Sequence, residues 1–170
     1  MKNTSIDISR ISKKIMGNNI KLNPVVPMEK IRRFEHDNGI VLPEELVRFY
    51  TEIGNGGKML FGCELRKFEE WDYDKEKIGK EFPFKECWIW EDDDNPDDNM
   101  MQKISNGNIE LMDIGDAQYW NIIVRGEKQG QMWNFLDVGI QPCAPERGFL
   151  SWYEYWLDGN DDYFSDYANS

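Results

Sequence analysis

Apolar side chains recur at helical spacing in the first third of the chain and predict three helices there. Isoleucines between residues 6 and 15 predict a helix over residues 5–16. A second helix is predicted to begin at Pro27, which suits a first helical turn, and to end at Gly39, which suits a left-handed stop. From Leu46 onward apolar residues fall at i, i+3, i+4 and i+7, so we predict a third helix that ends at Gly54.

Short apolar runs bounded by glycine, proline or charged residues predict strands in the middle of the chain. These runs cover residues 59–61, 87–90, 109–112, 119–124 and 131–135. The last two runs flank a glycine-bounded turn at residues 126–130 and predict a β-hairpin. An apolar helical face over residues 149–157 predicts a closing helix that ends at Asp158 and Gly159.

The order of these elements predicts the fold class. Helices first, antiparallel strands next and a helix last give an α+β domain, in which N-terminal helices and a C-terminal helix pack on a mostly antiparallel sheet of about four to six strands. The same periodicities predict which side chains are buried. The inward positions are those of Leu46, Phe49, Ile53, Ile122, Val124, Trp133, Phe149, Trp152 and Trp156.

Composition limits the classes of partner. The chain has 170 residues, of which 40% are hydrophobic and 14% aromatic, so we predict one globular domain over residues 1–170, with a helical extension at 1–26 and an acidic tail at 159–170. Its net charge of −12 would repel phosphate backbones and anionic lipid, which argues against nucleic acid and membranes as partners. Without a long apolar run or a signal-peptide pattern, we expect a cytoplasmic protein.

The charge is unevenly distributed along the chain. Residues 1–33 contain eight Lys and Arg against two acids, a local charge of +6, so the other 137 residues carry −18. A run of six carboxylates between residues 91 and 98 supplies much of this charge and predicts a solvated loop. Its members are Glu91, Asp92, Asp93, Asp94, Asp97 and Asp98.

Few residues suit catalysis or cofactor binding. His36 is the single histidine, and a Ser or Cys triad needs an imidazole that an acid positions, so we interpret His36 as a surface residue and predict that the protein is not an enzyme. Cys63, Cys87 and Cys143 are widely spaced, without a Cys-x-x-Cys pair, and we expect reduced, mostly buried thiols. The segment at 54–58 lacks the spacing of a phosphate-binding loop, so no cofactor is predicted.

The C-terminal acids partly match the spacing of a calcium-binding loop. Asp158, Asn160, Asp162 and Asp166 occupy positions one, three, five and nine of that loop. Position six, where the loop requires glycine, is Tyr163, and position twelve, where a bidentate glutamate belongs, is Asn169. We therefore predict a polar tail and no metal site.

Four aromatic residues differ in context from the tryptophans at predicted core positions. Trp71, Tyr73, Trp88 and Trp90 border charged segments, and Trp90 leads directly into the acidic run. Aromatic anchors beside charge are typical of a protein interface, which makes these four residues and the six carboxylates the candidate partner-binding residues. A solvated loop beside a core strand is the alternative interpretation, and the sequence leaves it open.

An ordered series of segments resembles the SUKH superfamily, the Smi/Knr-like domains first known from yeast cell-wall synthesis regulators. The resemblance covers residues 27–158. Its segments are residues 34–35, 38–46, 49–50, 54–57, 82–84 with Trp88, 107–109 with Leu111, Asp113 and Gly115, 122–126, 130–133, 149–153 and 156–157. The chain departs from many bacterial members at Gly115, Asp116 and Ala117, where they have a Gly-Cys-small step, and its acidic run looks expanded.

The resemblance implies a function in protein binding. Bacterial members are encoded beside polymorphic toxins and are taken to be immunity proteins, so the expected partner is a cognate toxin, basic if it is a nuclease. The eukaryotic members suggest an alternative, a regulatory scaffold that binds intracellular proteins. A third possibility, an enzyme or small-ligand sensor with a pocket on the sheet, ranks last. The sequence does not indicate an oligomeric state.

Overall fold

The protein is described by a computed structural model over residues 3–169. Residues 1, 2 and 170, which the predicted domain includes, lie outside the described residues, as do the side chains of 168 and 169. The helices are α1 (Thr4–Gly17), α2 (Met28–Asn38), α3 (Glu44–Arg48), α4 (Asp98–Met101) and α5 (Phe149–Leu157). The strands are β1 (Gly57–Lys58), β2 (Glu64–Leu65), β3 (Trp88–Ile89), β4 (Asn108–Gly115), β5 (Gln118–Ile123), β6 (Met132–Leu136) and β7 (Gly139–Pro142).

The first, second and closing helices form where the sequence predicts them. Asn3 caps α1 by accepting the Ile6 N–H, and the three buried isoleucines of that helix face the core. Helix α2 ends at Gly39, whose φ of 64° is left-handed as expected for a helix stop. Helix α5 ends at Leu157, and Asp158 is its C-cap, in agreement with the predicted stop at Asp158 and Gly159.

The third predicted helix changes geometry halfway. Residues 44–48 are α-helical, and Phe49–Ile53 form one wider π turn, closed by the bond from the Gly54 N–H to the Phe49 carbonyl at 3.0 Å. The cause lies outside the helix: the Tyr50 carbonyl accepts the Val26 N–H at 2.8 Å and is no longer the acceptor of the next turn. Val26, which lies within the predicted extension at 1–26, is therefore hydrogen-bonded to this helix.

A five-stranded antiparallel sheet in the order β3-β7-β6-β5-β4 confirms the α+β prediction. Strands β5 and β6 form the predicted hairpin, with Tyr119 opposite Phe135. Strand β7 was not predicted, because Ile140 is its one large apolar residue and Gly139 resembles a turn. That glycine is required: a Cβ there would lie 2.5 Å from the Ile89 side chain on β3.

Two strand predictions are wrong in detail. Residues 59–61 were expected to form a strand, but Leu60–Gly62 is a 3-10 turn with Phe61 at a φ of 49°, and the short strands β1 and β2 pair on either side of it. Residues 87–90 form a strand only at Trp88–Ile89, because Trp90–Asp92 turns away in a second 3-10 turn. In both places an aromatic residue, Phe61 or Trp90, extended the apolar run in the sequence but lies in a turn in the structure.

The sheet separates two apolar layers. On β5, Trp120 and Ile122 point toward the helices, and Asn121 and Ile123 point to the opposite face. Of the nine side chains predicted to be buried, seven are buried, six of them in the helical layer and Trp133 on the other face of the sheet. The remaining two, Ile53 and Trp156, are half-buried. The second layer is smaller and consists of Phe82, Phe84, Ile123, Trp133 and Ile140.

The C-terminal segment is less polar than predicted. Tyr163, at the position where a calcium loop needs glycine, is buried, and its hydroxyl donates to the Trp152 carbonyl at 3.0 Å. The Arg147 guanidinium lies 4.0 Å from the centroid of the Tyr155 ring on α5 and donates to the Tyr163 carbonyl at 3.4 Å, so it links this segment to α5. Asp158, Asn160, Asp162 and Asp166 are exposed. Among the described residues, no helix combines the length and apolar character of a membrane span.

Candidate partner-binding surface

The four candidate aromatic residues lie near opposite edges of the sheet. Trp71 and Tyr73 flank Asp72, which forms a backbone bridge with Glu110 of the edge strand β4. Trp88 and Trp90 lie on and just after β3, the other edge strand. The structure therefore does not bring the four rings together.

Trp71 belongs to the core. Its indole is 6% exposed and packs edge-to-face against Phe34, Tyr50 and Phe68, with ring centroids 4.9 to 5.7 Å apart. Such a ring is not presented to a partner, so the prediction that Trp71 is an anchor is corrected. Tyr73 is half-buried on the same aromatic group, with its ring 5.3 Å from that of Phe34.

Trp88 and Trp90 are half-buried and remain partly presented to solvent. The Trp88 ring stacks on Phe84 at 5.6 Å, and Trp90 packs edge-on against Trp88 at the same distance. The Trp90 indole N–H donates to the Asp137 carbonyl at 3.2 Å, which fixes the ring at the start of the 3-10 turn. The two rings thus form a packed apolar ledge, which we call the tryptophan ledge (Trp88 and Trp90).

The acidic segment (residues 91–98) continues from this ledge, and all six of its carboxylates are exposed. The predicted loop is partly ordered, because Asp93 accepts the Asn95 N–H and Asp97 caps α4 by accepting the Asn99 N–H at 2.8 Å. Within the described residues none of the six forms a salt bridge. Their charge is therefore directed to solvent, next to an apolar surface.

A cleft of about 360 Å³ opens on the same face of the sheet, near β4. It exists because Asp72 and Glu110 exchange backbone hydrogen bonds at 2.8 and 3.3 Å, so that residues 72–74 run alongside β4 and form one wall. Arg66 bonds to the Glu110 carboxylate, yet burial still raises the pKa of Glu110. We call this the acidic cleft; it is lined by Asp72, Tyr73, Asp74, Ile104, Ser105, Asn108, Glu110, Asn121 and Phe135.

Two buried asparagines in the acidic cleft were missed by sequence reasoning. Asn108 and Asn121 lie on adjacent strands, and the Asn121 side-chain amide donates to Asn108 Oδ1 at 2.9 Å. The sequence did contain a signal: Asn121 is the one polar residue within the apolar run at residues 119–124, and strand alternation places it on the face opposite Trp120 and Ile122. Tyr73 is the one predicted site residue that also lines this cleft.

The remaining reactive groups are dispersed. The His36 side chain is 90% exposed and lies 3.6 Å from Asp37. Across residues 3–169, no three side chains among His, Cys, Asp and Glu lie close enough together to hold a metal ion. Cys143 is buried and Cys63 half-buried, but Cys87 is exposed just before β3, which corrects the expectation of mostly buried thiols for that residue.

Comparison of the chain with models of protein families, with characterised proteins and with solved structures finds no significant match.

Proposed function

We propose that the protein is a cytoplasmic immunity protein that binds a basic toxin domain and blocks it by occlusion. The observation that carries the proposal is the junction of the tryptophan ledge with the acidic segment, whose six exposed carboxylates have no salt-bridge partner in the described part of the chain. Unpaired carboxylates of this kind are complementary to a basic surface. The resemblance of residues 27–158 to the SUKH superfamily supports the choice of a toxin as that partner.

The two parts of this surface would act at different stages of binding. The acidic segment attracts a basic partner over a distance that salt limits to about 8 Å at physiological ionic strength, so it would mainly raise the association rate. A half-buried indole at the centre of a contact acts after docking, and truncating it typically costs about 2 kcal/mol or more, chiefly through faster dissociation. Asp93 and Asp97 have a further task, because they order the backbone of the segment.

The test requires a candidate toxin, and the gene next to this one is the place to seek it. If that gene encodes a long secreted protein with a variable C-terminal domain, this domain is produced and its binding is measured by surface plasmon resonance at several salt concentrations. We expect tight binding, and protection of cells that express the toxin domain. Binding without protection would contradict occlusion and favour the alternative of a regulatory scaffold.

Matched variants separate steering from anchoring. Asp92→Asn with Asp94→Asn removes two exposed charges and leaves Asp93 and Asp97, which order the segment, unchanged. As a control, Asp161→Asn with Asp166→Asn removes the same charge from the exposed C-terminal segment. We expect only the first pair to slow association, and only at low salt.

Trp90→Ala is the corresponding test of the anchor, and Phe61→Ala, at a site 76% exposed in the turn between β1 and β2, is its control. We expect Trp90→Ala alone to speed dissociation, by about tenfold or more. Circular dichroism and thermal melts verify that each variant folds. Unchanged rates for the Trp90 variant and for the Asp92 and Asp94 pair, in folded protein, would exclude this surface as the interface.

A further inference from the structure

We propose that the acidic cleft is a binding site for a guanidinium group, held by Asp72, Asp74 and the side-chain oxygen of Asn121. The site lies beside β4, away from the tryptophan ledge at the other edge of the sheet. It does not depend on the proposed function, because it concerns the recognition of one chemical group and can be tested with a small molecule.

The first argument is a buried acceptor without a partner. The Asn108 amide donates to the carbonyls of Ile104 and Asn106, at 2.8 and 2.9 Å, so its Oδ1 must face Asn121. The Asn121 Nδ2 donates to that oxygen, so the Asn121 Oδ1 points away from Asn108. The Asn121 Oδ1 is left without a hydrogen bond among the described residues. Water cannot easily replace the missing partner, because Asn121 is only 6% exposed.

The position of this oxygen connects it to the cleft. Asn121 is the strand partner of Glu110, and both line the cleft on the same face of the sheet. An unsatisfied buried acceptor destabilises the protein, because it has lost its hydrogen bond to water without gaining another. A ligand that donates a hydrogen bond at the bottom of the cleft would remove that cost, so the protein itself favours a donor at this place.

The second argument is charge. Three carboxylates line the cleft, and the Arg66 guanidinium, bonded to Glu110, is the cation in contact with one of them. Asp74 is held in place because its Oδ1 accepts the Glu76 N–H at 2.9 Å. Asp72 is exposed at the rim. The cleft therefore offers acceptors and excess negative charge, which select a cation rich in donors.

The shape of the acceptor set favours a guanidinium over a metal ion or an ammonium. No three carboxylates in the described residues converge closely enough for a metal. The acceptors instead range from the exposed Asp72 to the buried Asn121, and separated acceptors suit the five donors of a planar guanidinium better than a point charge. Phe135 also lines the cleft, on the face opposite the helices, and supplies an aromatic ring beside these acceptors.

A guanidinium can come from an arginine side chain of a protein partner or from a small metabolite, and two probes distinguish these sources. N-acetyl-arginine amide represents an arginine side chain of a protein. Agmatine represents a small guanidinium metabolite, and N-acetyl-lysine amide is the ammonium control. Binding to the full-length protein is measured by calorimetry and by NMR shifts of the Asn108 and Asn121 side-chain amides. We expect saturable binding of the arginine amide and shifts confined to residues of the cleft.

The relative affinities then identify the source. Tighter binding of agmatine would indicate a small metabolite, and tighter binding of the arginine amide would indicate a protein side chain; both results uphold the site. Equal binding of the lysine amide would overturn the choice of a guanidinium. The absence of saturable binding of either guanidinium probe at millimolar concentration would overturn the site itself.

Variants locate the site in the cleft. Asp72→Asn with Asp74→Asn should weaken binding of the guanidinium probe by at least about tenfold, because it removes both carboxylate charges that would accept hydrogen bonds from the guanidinium. Asparagine can still accept the Glu76 N–H, so we expect the variant to fold, which circular dichroism verifies. Asp92→Asn with Asp94→Asn changes the net charge equally on the acidic segment and should leave the affinity unchanged. Equal weakening by both pairs would show diffuse attraction and contradict the site.

Discussion

The guanidinium of Arg10 donates to both carboxylate oxygens of Glu154, at 2.7 and 2.8 Å, and so joins the first helix to the last. Lys14 adds a contact to the same carboxylate at 2.9 Å. The basic face of α1 is thereby matched to acids of α5, which explains why an N-terminal segment of opposite charge belongs to an acidic domain. The same helix buries Ile8, Ile11 and Ile15 in the core.

This pair predicts a pH dependence of stability. The hydrogen bond from Arg10 is the largest cause that lowers the pKa of Glu154 from 4.5 to about 2. Because the folded-state pKa is the lower one, the stabilisation is fully present above about pH 4.5 and is lost as the pH falls toward 2. Glu154→Gln should cost about 1 kcal/mol at neutral pH and flatten the stability curve in that window. Urea melts at several pH values check this, with the exposed Glu86→Gln as control; identical curves for both variants would contradict it.

A carboxylate on α3 caps the closing helix. Glu45 Oε1 accepts the Leu150 N–H at 2.9 Å, in the first turn of α5, where Gly148 offers no side-chain cap. We expect Glu45→Ala to destabilise the protein by about 1–2 kcal/mol, as the loss of a helix cap does. Glu44→Ala, at the exposed neighbouring position, should cost less than half as much. Chemical denaturation of the two variants provides the comparison, and equal losses would count against the capping role.

Two glycines with left-handed backbones are predicted to respond differently to substitution. Gly56 has a φ of 70°, and an added Cβ would lie 2.6 Å from the Arg66 carbonyl, whereas Gly62, with a φ of 77°, has open space around it. Gly62→Ala should therefore cost only backbone strain, about 1 kcal/mol, and Gly56→Ala about 3 kcal/mol or more. Melting temperatures rank the two, and a Gly56 variant as stable as the Gly62 variant would disprove the clash.

The three thiols should react in the order of their exposure. Cys87 is exposed and should react first with a disulfide reagent, although partial burial raises its pKa. Cys143 is buried, and burial raises its pKa to about 12, so it should react only when the protein unfolds. Reaction with Ellman's reagent, with and without denaturant, measures this. Cys87→Ser should abolish the fast phase; a fast phase that survives would assign it to another thiol.

The sequence predicted the elements whose signals are local. Helix α2 has a proline start and a glycine stop, and the β5–β6 hairpin has two apolar runs around a short turn, so periodicity and turn chemistry suffice for them. Strand β7 depends on its neighbour in the sheet, because only a glycine at position 139 leaves room for the Ile89 side chain of β3. The same holds for the π turn, which depends on a hydrogen bond from Val26.

The candidate site shows the same division. The exposure of the acidic segment follows from its composition, which the sequence contains in full. The burial of Trp71 depends on Phe34 and Phe68, which reach it only in the folded chain. Likewise, the acidic cleft depends on the pairing of Asp72 with Glu110, 38 positions later, for which the sequence carries no local signal.

The two layers of the sheet divide the seven tryptophans of the chain into separate optical reporters. Four indoles belong to the helical layer and three to the layer that carries the tryptophan ledge. The first group is Trp71, Trp120, Trp152 and Trp156, and the second is Trp88, Trp90 and Trp133. Replacing either group by phenylalanine would leave fluorescence from one side of the sheet alone, so emission during unfolding could be assigned to the loosening of one layer or the other.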